Sequence, residues 1–311
     1  MPIAIVFASH TPLKDYQSPG AAVEHEVDTC IAEVKAWVAD FKPELVITFG
    51  PDHFNGFFYR VMPSFCIGTA ATSVGDWSTP AGRLPVAADI AEGCVRVVQT
   101  AGVDVALSHR MDVDHGVTQL LNQIFEWSAL PPIVPVFINC AAPPLPPLNR
   151  VVALGRALGG FAESHGGRVL LAASGGLSHD PPIPTLATAP AAVRERLIAG
   201  GALSAEARAA RQQHVLADAA NQIIGKSDRT PLNPAWDQAF LDQLRAFDFE
   251  GIAAMTDTEI TYAAGCGGHE IRTWIAAASA ARVAGIADFN LRYYRAIPEW
   301  VAGFCVMTAS T

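Results

Sequence analysis

The chain has 311 residues, of which half are hydrophobic and 16% charged; 21 basic and 30 acidic side chains leave a formal net charge of −9. That balance excludes a disordered chain and suits a compact globular protein with a sizeable interior. The acidic surplus and the lack of any Lys/Arg-rich run argue against nucleic acid or an anionic membrane as partner, and an anionic substrate would need a local cation of its own.

In chain order, Ile3–Ala8 is a short apolar run suited to a buried strand. Val23, Val27, Ile31, Val34 and Val38 recur at helical spacing, and Pro43 closes that helix. Leu45–Phe49 is a β-rich run stopped by Gly50-Pro51. A helix from about Val86 to Thr100 precedes a strand near Val103–Ser108, and a helix near Val117–Trp127 precedes the strand Ile133–Ile138. A helix over roughly Leu148–Ser164 leads to the strand Arg168–Ala173. Strands separated by helices predict an α/β fold with a mostly parallel, mixed central sheet covered by helices on both faces. From about 187 to 264 the pattern turns to Ala-, Arg- and Gln-rich helices without a convincing strand. This is expected to be a helical excursion of a single domain over residues 1–311. A helix over about His269–Val283 and a strand-like tail, Asn290–Arg295, complete the chain.

Nothing resembles a targeting segment, because Met1–Ala8 has no basic n-region and is too short for a signal sequence. The longest uncharged run, Trp127–Asn149, has the length of a membrane span but holds seven prolines. A lipid-exposed helix could not absorb them, so a buried strand between Pro-rich loops is expected. The six cysteines are scattered without a Cys-x-x-Cys pair, which argues against a disulfide framework or a thiolate zinc site and fits reduced thiols in a cytoplasmic protein.

The nine histidines are unevenly placed. His10 ends the first strand; His53 follows the second in Pro51-Asp52-His53-Phe54-Asn55-Gly56; His115 lies in Val113-Asp114-His115-Gly116, after the strand near Ser108; His179 lies in Ser174-Gly175-Gly176-Leu177-Ser178-His179, after the strand ending at Ala173. Ligands of open parallel sheets bind outside the carboxyl ends of the strands, so these four histidines point toward one crevice. His25, His165 and His214 lie on helical faces and read as ordinary; His109 has no turn motif beside it. Without paired cysteines, the donor set that fits is two histidines plus one carboxylate, as in non-haem Fe(II) oxygen-activating enzymes. Glu270, in Gly267-Gly268-His269-Glu270-Ile271, is a candidate carboxylate, and equally a solvated first-turn glutamate favoured by the helix dipole.

Taken together, Ser9-His10-Thr11-Pro12-Leu13, Pro51-Asp52-His53-Phe54-Asn55-Gly56-Phe57-Phe58-Tyr59, Val113-Asp114-His115-Gly116, Ser174–His179, His269-Glu270-Ile271 and Pro298–Phe304 resemble the class III extradiol dioxygenases, the superfamily of the protocatechuate 4,5-dioxygenase type. The resemblance runs nearly end to end. It implies Fe(II) held by His10, His53 and Glu270, with His115 and His179 as the acid–base pair. It also implies a homo-oligomer that opens a catechol bearing a carboxylate side chain with O2, such as 3-(2,3-dihydroxyphenyl)propionate or 2,3-dihydroxycinnamate. Asp114, beside His115, would orient that ring or serve as a loop-turn carboxylate. Arg292 and Arg295 are candidates, on charge alone, for the substrate carboxylate. The competing readings are a zinc-dependent hydrolase on the same triad and a non-catalytic binding module of the same fold.

Overall fold

The computed structural model describes residues 2–311. The elements are β1 (Ile3–Ser9), α1 (Ala21–Phe41), β2 (Leu45–Gly50), β3 (Phe65–Gly68), β4 (Ala71–Ser73), β5 (Gly82–Arg83), α2 (Ala88–Thr100), β6 (Ala106–Ser108), β7 (Met111–Val113) and α3 (His115–Ile124). There follow β8 (Ile133–Ile138), α4 (Leu148–Ser164), β9 (Val169–Gly175), α5 (Ala191–Ala199), α6 (Ala205–Ile223), α7 (Pro234–Arg245), α8 (Phe249–Ala254), α9 (Asp257–Ala264), α10 (Ile271–Val283), β10 (Asn290–Ile297) and β11 (Ala302–Ser310).

The main sheet has eight strands in the order β10-β11-β1-β9-β2-β8-β3-β6. Its centre, β1-β9-β2-β8, is parallel throughout, and antiparallel strands flank it: β11 pairs with β1, and β3 with β8. Both faces of the centre are buried, which is why its strands read as unbroken apolar runs. Ile3, Ile5 and Phe7 of β1 join the core containing α2, α4 and α10, whereas Ala4, Val6 and Ala8 join the core containing α1 and α3. The two-residue pleat thus feeds both layers from one run.

Three features differ from the sequence reading. β3 and β11 were not foreseen: β3 has only four residues, and β11, which inserts between β1 and β10, buries a mix of Gly, Cys, Met and Thr rather than a β-branched run. A separate three-stranded sheet, β5-β4-β7, was also not foreseen, because strands of two or three residues carry no periodicity. The strand before His115 is therefore β7 of this small sheet, not a strand of the main one. The helical excursion is helical as expected but divides in two. Phe240, Leu241, Leu244, Ile252 and Ile260 of α7–α9 enter the main core, whereas α5 buries only Leu197 and α6 only Ala219. Pro43 does follow the end of α1, where Lys42 turns into the left-handed region at φ 53°. Trp127–Asn149 holds β8 between loops as expected, and no helix among the described residues is long and apolar enough to cross a membrane. All six cysteines are free, five of them buried.

Candidate active site

β1, β9 and β2 are adjacent and parallel, so their carboxyl ends share one rim. His10 leaves β1 there, its N–H donating to Gly175 O of β9 at 2.9 Å. His53 leaves β2 three residues after Gly50, and His179 leaves β9 four residues after Gly175. His115 arrives from the small sheet at the start of α3. Glu270 lies where a 3-10 turn, Gly267–Glu270, becomes α10, which packs against β9 and β1. The five residues predicted from the sequence meet in one place. Glu270 Oε1 is 3.1 Å from His53 Nε2 and 3.5 Å from His179 Nε2, and Glu270 Oε2 is 3.4 Å from His10 Nε2. The His53 and His115 rings stack at 4.3 Å, and the His10 ring stands edge-on to both, at 5.3 and 5.4 Å.

Each of the four imidazoles is anchored through Nδ1. His10 uses Ser174 Oγ at 3.1 Å, His53 uses Asp114 Oδ2 at 3.2 Å, His115 uses Asp76 Oδ2 at 2.6 Å and His179 uses Leu177 O at 2.9 Å. A ring held by one nitrogen has its tautomer and direction set, leaving Nε2 for chemistry. Asp114 orients His53 rather than its chain neighbour His115. It also accepts the His53 and Gly116 main-chain N–H groups at 2.8 and 2.9 Å and the Asn55 side-chain amide at 2.8 Å, so it caps α3 as well. The partner of His115 is Asp76, which also accepts the His115 main-chain N–H at 2.8 Å. Sequence reading missed Asp76; the available signal was a carboxylate inside the turn-forming stretch Gly75–Pro80. Both loops bend just past these residues through non-glycine left-handed positions, Phe54 at φ 57° and Trp77 at φ 48°. Such conformations persist only where the surroundings over-determine them.

The glycines near Glu270 have a specific use. A Cβ on Gly267 would sit 2.2 Å from His179 Nε2, and one on Gly176 would sit 2.4 Å from His179 Cε1. Only glycine lets both loops close on that ring. His269 has a separate role: Thr261 Oγ1 and Arg272 hold its two nitrogens at 2.8 Å each.

Burial pushes His10 down to about 3, keeping it a neutral donor. Burial also opposes charge on His53, but Asp114 and Glu270 outweigh it and hold that ring well above the ordinary histidine range. For Glu270 burial favours the protonated form, yet the surrounding imidazoles hold it well below the usual carboxylate range. Burial and Asp114 push Asp52 up to about 7; it accepts main-chain N–H groups of Asn55, Gly56 and Phe57 and so closes the His53 loop. Glu270 is a buried anion that demands positive charge, and its Oε2 has no hydrogen-bond partner among the described residues. A cation held by Glu270 and the neighbouring imidazoles would supply that charge and give Oε2 a partner. His10, His53 and His115 also place donor atoms within 4.8 Å of one another, as do Asp76, Asp114 and His115, so the residues present fit a metal ion.

The rim opens into a cavity of about 550 Å³, the size of a small-molecule site. Its walls include Leu13, Phe54, Trp77, Ile183, Leu197 and Trp300. His214, read from the sequence as ordinary, lies on the wall; His25, on the outward face of α1, does not. Arg292 and Arg295 do not line it. They lie on β10 and pair with Glu33 and Glu26 at 3.6 and 3.2 Å. The charge pattern alone could not tell a surface ion pair from a ligand contact.

Residues 4–305 match the family described as the catalytic LigB subunit of aromatic ring-opening dioxygenase. The chain is 49% identical over 309 residues to the 2,3-dihydroxyphenylpropionate/2,3-dihydroxicinnamic acid 1,2-dioxygenase of Cupriavidus pinatubonensis, covering 99% of this chain and 98% of that one. It is 47% identical over 312 residues to the protein of the same name from Mycolicibacterium smegmatis, covering 99% of each. To 2,3-dihydroxyphenylpropionate/2,3-dihydroxicinnamic acid 1,2-dioxygenase 1 of Pseudomonas putida it is 47% identical over 302 residues, covering 97% of this chain and 96% of that one. Enzymes of this family are metal-dependent, in keeping with the donors gathered at the rim. With a match that spans almost every residue and relatives close to half identical, the chain belongs to the LigB family of aromatic ring-opening dioxygenases.

Proposed function

We propose that this enzyme is an extradiol dioxygenase that opens a catechol bearing a carboxylated side chain, 3-(2,3-dihydroxyphenyl)propionate or 2,3-dihydroxycinnamate, with both atoms of O2. His10, His53 and Glu270 would hold Fe(II), and residues 1–311 act as one α/β domain. The observation that carries this reading is the convergence of three imidazole Nε2 atoms on one buried glutamate, at 3.1 to 3.5 Å. Two imidazoles and a carboxylate on one side, with open space opposite, suit a metal that must also take substrate and O2.

When bound, Fe(II) supplies the Lewis acidity that eases catechol deprotonation and the redox link between catechol and O2. The remaining work falls to the protein. His115 donates from Nδ1 to Asp76, which leaves its Nε2 lone pair free to act as the base toward a bound catechol. His179 serves as the acid: the Leu177 carbonyl holds its Nδ1 at 2.9 Å, which leaves Nε2 at the rim, 3.5 Å from Glu270 Oε1. It donates a proton to oxygen as the ring opens. Leu13, Phe54, Trp77 and Trp300 enclose the aromatic ring and keep bulk water from the acid–base pair.

The test is addition of 3-(2,3-dihydroxyphenyl)propionate in air to protein purified anaerobically and loaded with Fe(II). The expected result is one O2 consumed per catechol and a yellow 2-hydroxy-6-oxo-dienedioate. Loading with Zn(II) instead should give neither. Protein that leaves catechol and O2 untouched with Fe(II), or that hydrolyses esters with Zn(II), would overturn the reading.

A further inference from the structure

The cavity wall also carries two arginines, Arg196 of α5 and Arg211 of α6. Arg196 donates to Phe54 O at 2.9 Å and Arg211 donates to His53 O at 2.7 Å. These consecutive carbonyls belong to the loop that presents His53, so both guanidiniums are stationed relative to the proposed metal position. Arg196 also lies over the Phe58 ring, 5.5 Å from its centroid, and its buried Nε has no hydrogen-bond partner among the described residues.

Neither arginine makes an ion pair among the described residues, whereas Arg229, Arg272, Arg292 and Arg295 each do. The carboxylate on the same wall, Asp218, is engaged with Arg229 at 3.7 Å and with the Gln222 amide at 2.9 Å. Two like charges sharing a cavity wall are unfavourable unless an anion joins them. Burial and the Arg211 charge weaken Arg196's hold on its proton more than the nearby Asp52 carboxyl strengthens it. In a chain of net charge −9, two cations that face a largely apolar pocket without a contact ion pair among the described residues mark a place for an anionic ligand group.

We propose that Arg196 and Arg211 form the subsite that receives the side-chain carboxylate of the substrate and so determine the preference for acidic over neutral catechols. This rests on the ring-cleaving reading for its substrate, but the subsite can be tested without turnover. Calorimetric titration of the full chain with 3-phenylpropionate and with its neutral amide, 3-phenylpropanamide, isolates carboxylate recognition. Wild-type protein should bind the acid about 10- to 100-fold more tightly than the amide, as expected for hydrogen bonds to a charged group. Arg196→Met combined with Arg211→Met should abolish that preference, and Arg196→Lys should keep part of it. Steady-state kinetics of the Fe(II)-loaded enzyme should agree. The ratio of kcat/KM for 3-(2,3-dihydroxyphenyl)propionate over that for 3-propylcatechol should fall by a similar factor, mainly through KM for the acid. A ratio absorbs any general loss caused by removing Arg211 from the His53 loop.

Equal binding of acid and amide by wild-type protein, or a preference that survives in the double variant, would overturn the subsite. Acid preference without cleavage of either catechol would sink the ring-cleaving reading and leave the subsite standing. Cleavage of both catechols with an unchanged ratio in the variants would do the reverse.

Discussion

The rim of the sheet and the helices above it are built by different rules. At the rim, every candidate chemical group is buried or half-buried and held by a second group: His10 by Ser174, His53 by Asp114, His115 by Asp76 and His179 by Leu177. Above it, α5 and α6 are mostly exposed, each burying one residue, and they touch the rim loop through two arginine side chains. Chemistry that tolerates little displacement rests on strand ends fixed by the sheet. The wall proposed to receive the substrate side chain rests on helices with little core of their own, the kind of segment that opens at low cost. The contrast suggests that reaction type and substrate choice are separable in this molecule.

Changes at the rim test that separation most severely. His10→Ala, His53→Ala or Glu270→Ala should each abolish stoichiometric metal and with it ring cleavage, as measured by elemental analysis and oxygen uptake; a variant that keeps full metal content would show its residue is no ligand. His115→Gln and His179→Gln should retain metal yet lose roughly 10²- to 10⁴-fold in turnover, the usual worth of a general acid or base. The two carboxylates sharpen the point, since Asp114→Asn should cost about 10- to 100-fold in metal affinity. Asp76→Asn should leave that affinity alone and slow turnover, because it supports a ring outside the ligand set. If both variants behaved alike, the division between His53 and His115 would be wrong.

Gly267→Ala should be felt next, because the new methyl would lie 2.2 Å from His179 Nε2. A cost of about 1–3 kcal/mol in stability is expected for such overpacking, together with slower turnover and unchanged metal content. The smallest effect belongs to the helices above. Leu197→Ala should loosen α5, seen as faster amide exchange there, while the melting midpoint set by the sheet moves little. A large global loss would mean that α5 is integral to the core.

Much of this was legible in the residues because strand exits carry local signatures. The runs Ile3–Ala8, Leu45–Phe49, Ile133–Ile138 and Arg168–Ala173 announce buried strands, and the turn residues after them announce close-approach loops. Histidines in those loops had to gather once the strands were parallel. Asp76 lay in a turn-forming stretch, Gly75–Pro80, with nothing beside it to name its partner, and Arg196 gave no signal at all. Nothing in the chain says that the loop after β4 folds back on α3, or that α5 and α6 turn their arginines toward the His53 loop.

From the sequence alone came the α/β class, the four parallel strands at the centre of the sheet and the four histidines at strand exits, because pleat periodicity and turn chemistry are local properties; Glu270 and the division of roles came from the family resemblance. Strand order, and therefore which exits are neighbours, was decided by tertiary packing, as were the pairing of Asp114 with His53 and of Asp76 with His115. So was the replacement of Arg292 and Arg295 by Arg196 and Arg211 as the cations facing the cavity. Those outcomes depend on contacts between residues distant in the chain, from Asp76 with His115 to Ala4 with Ser310, and no short-range pattern encodes them.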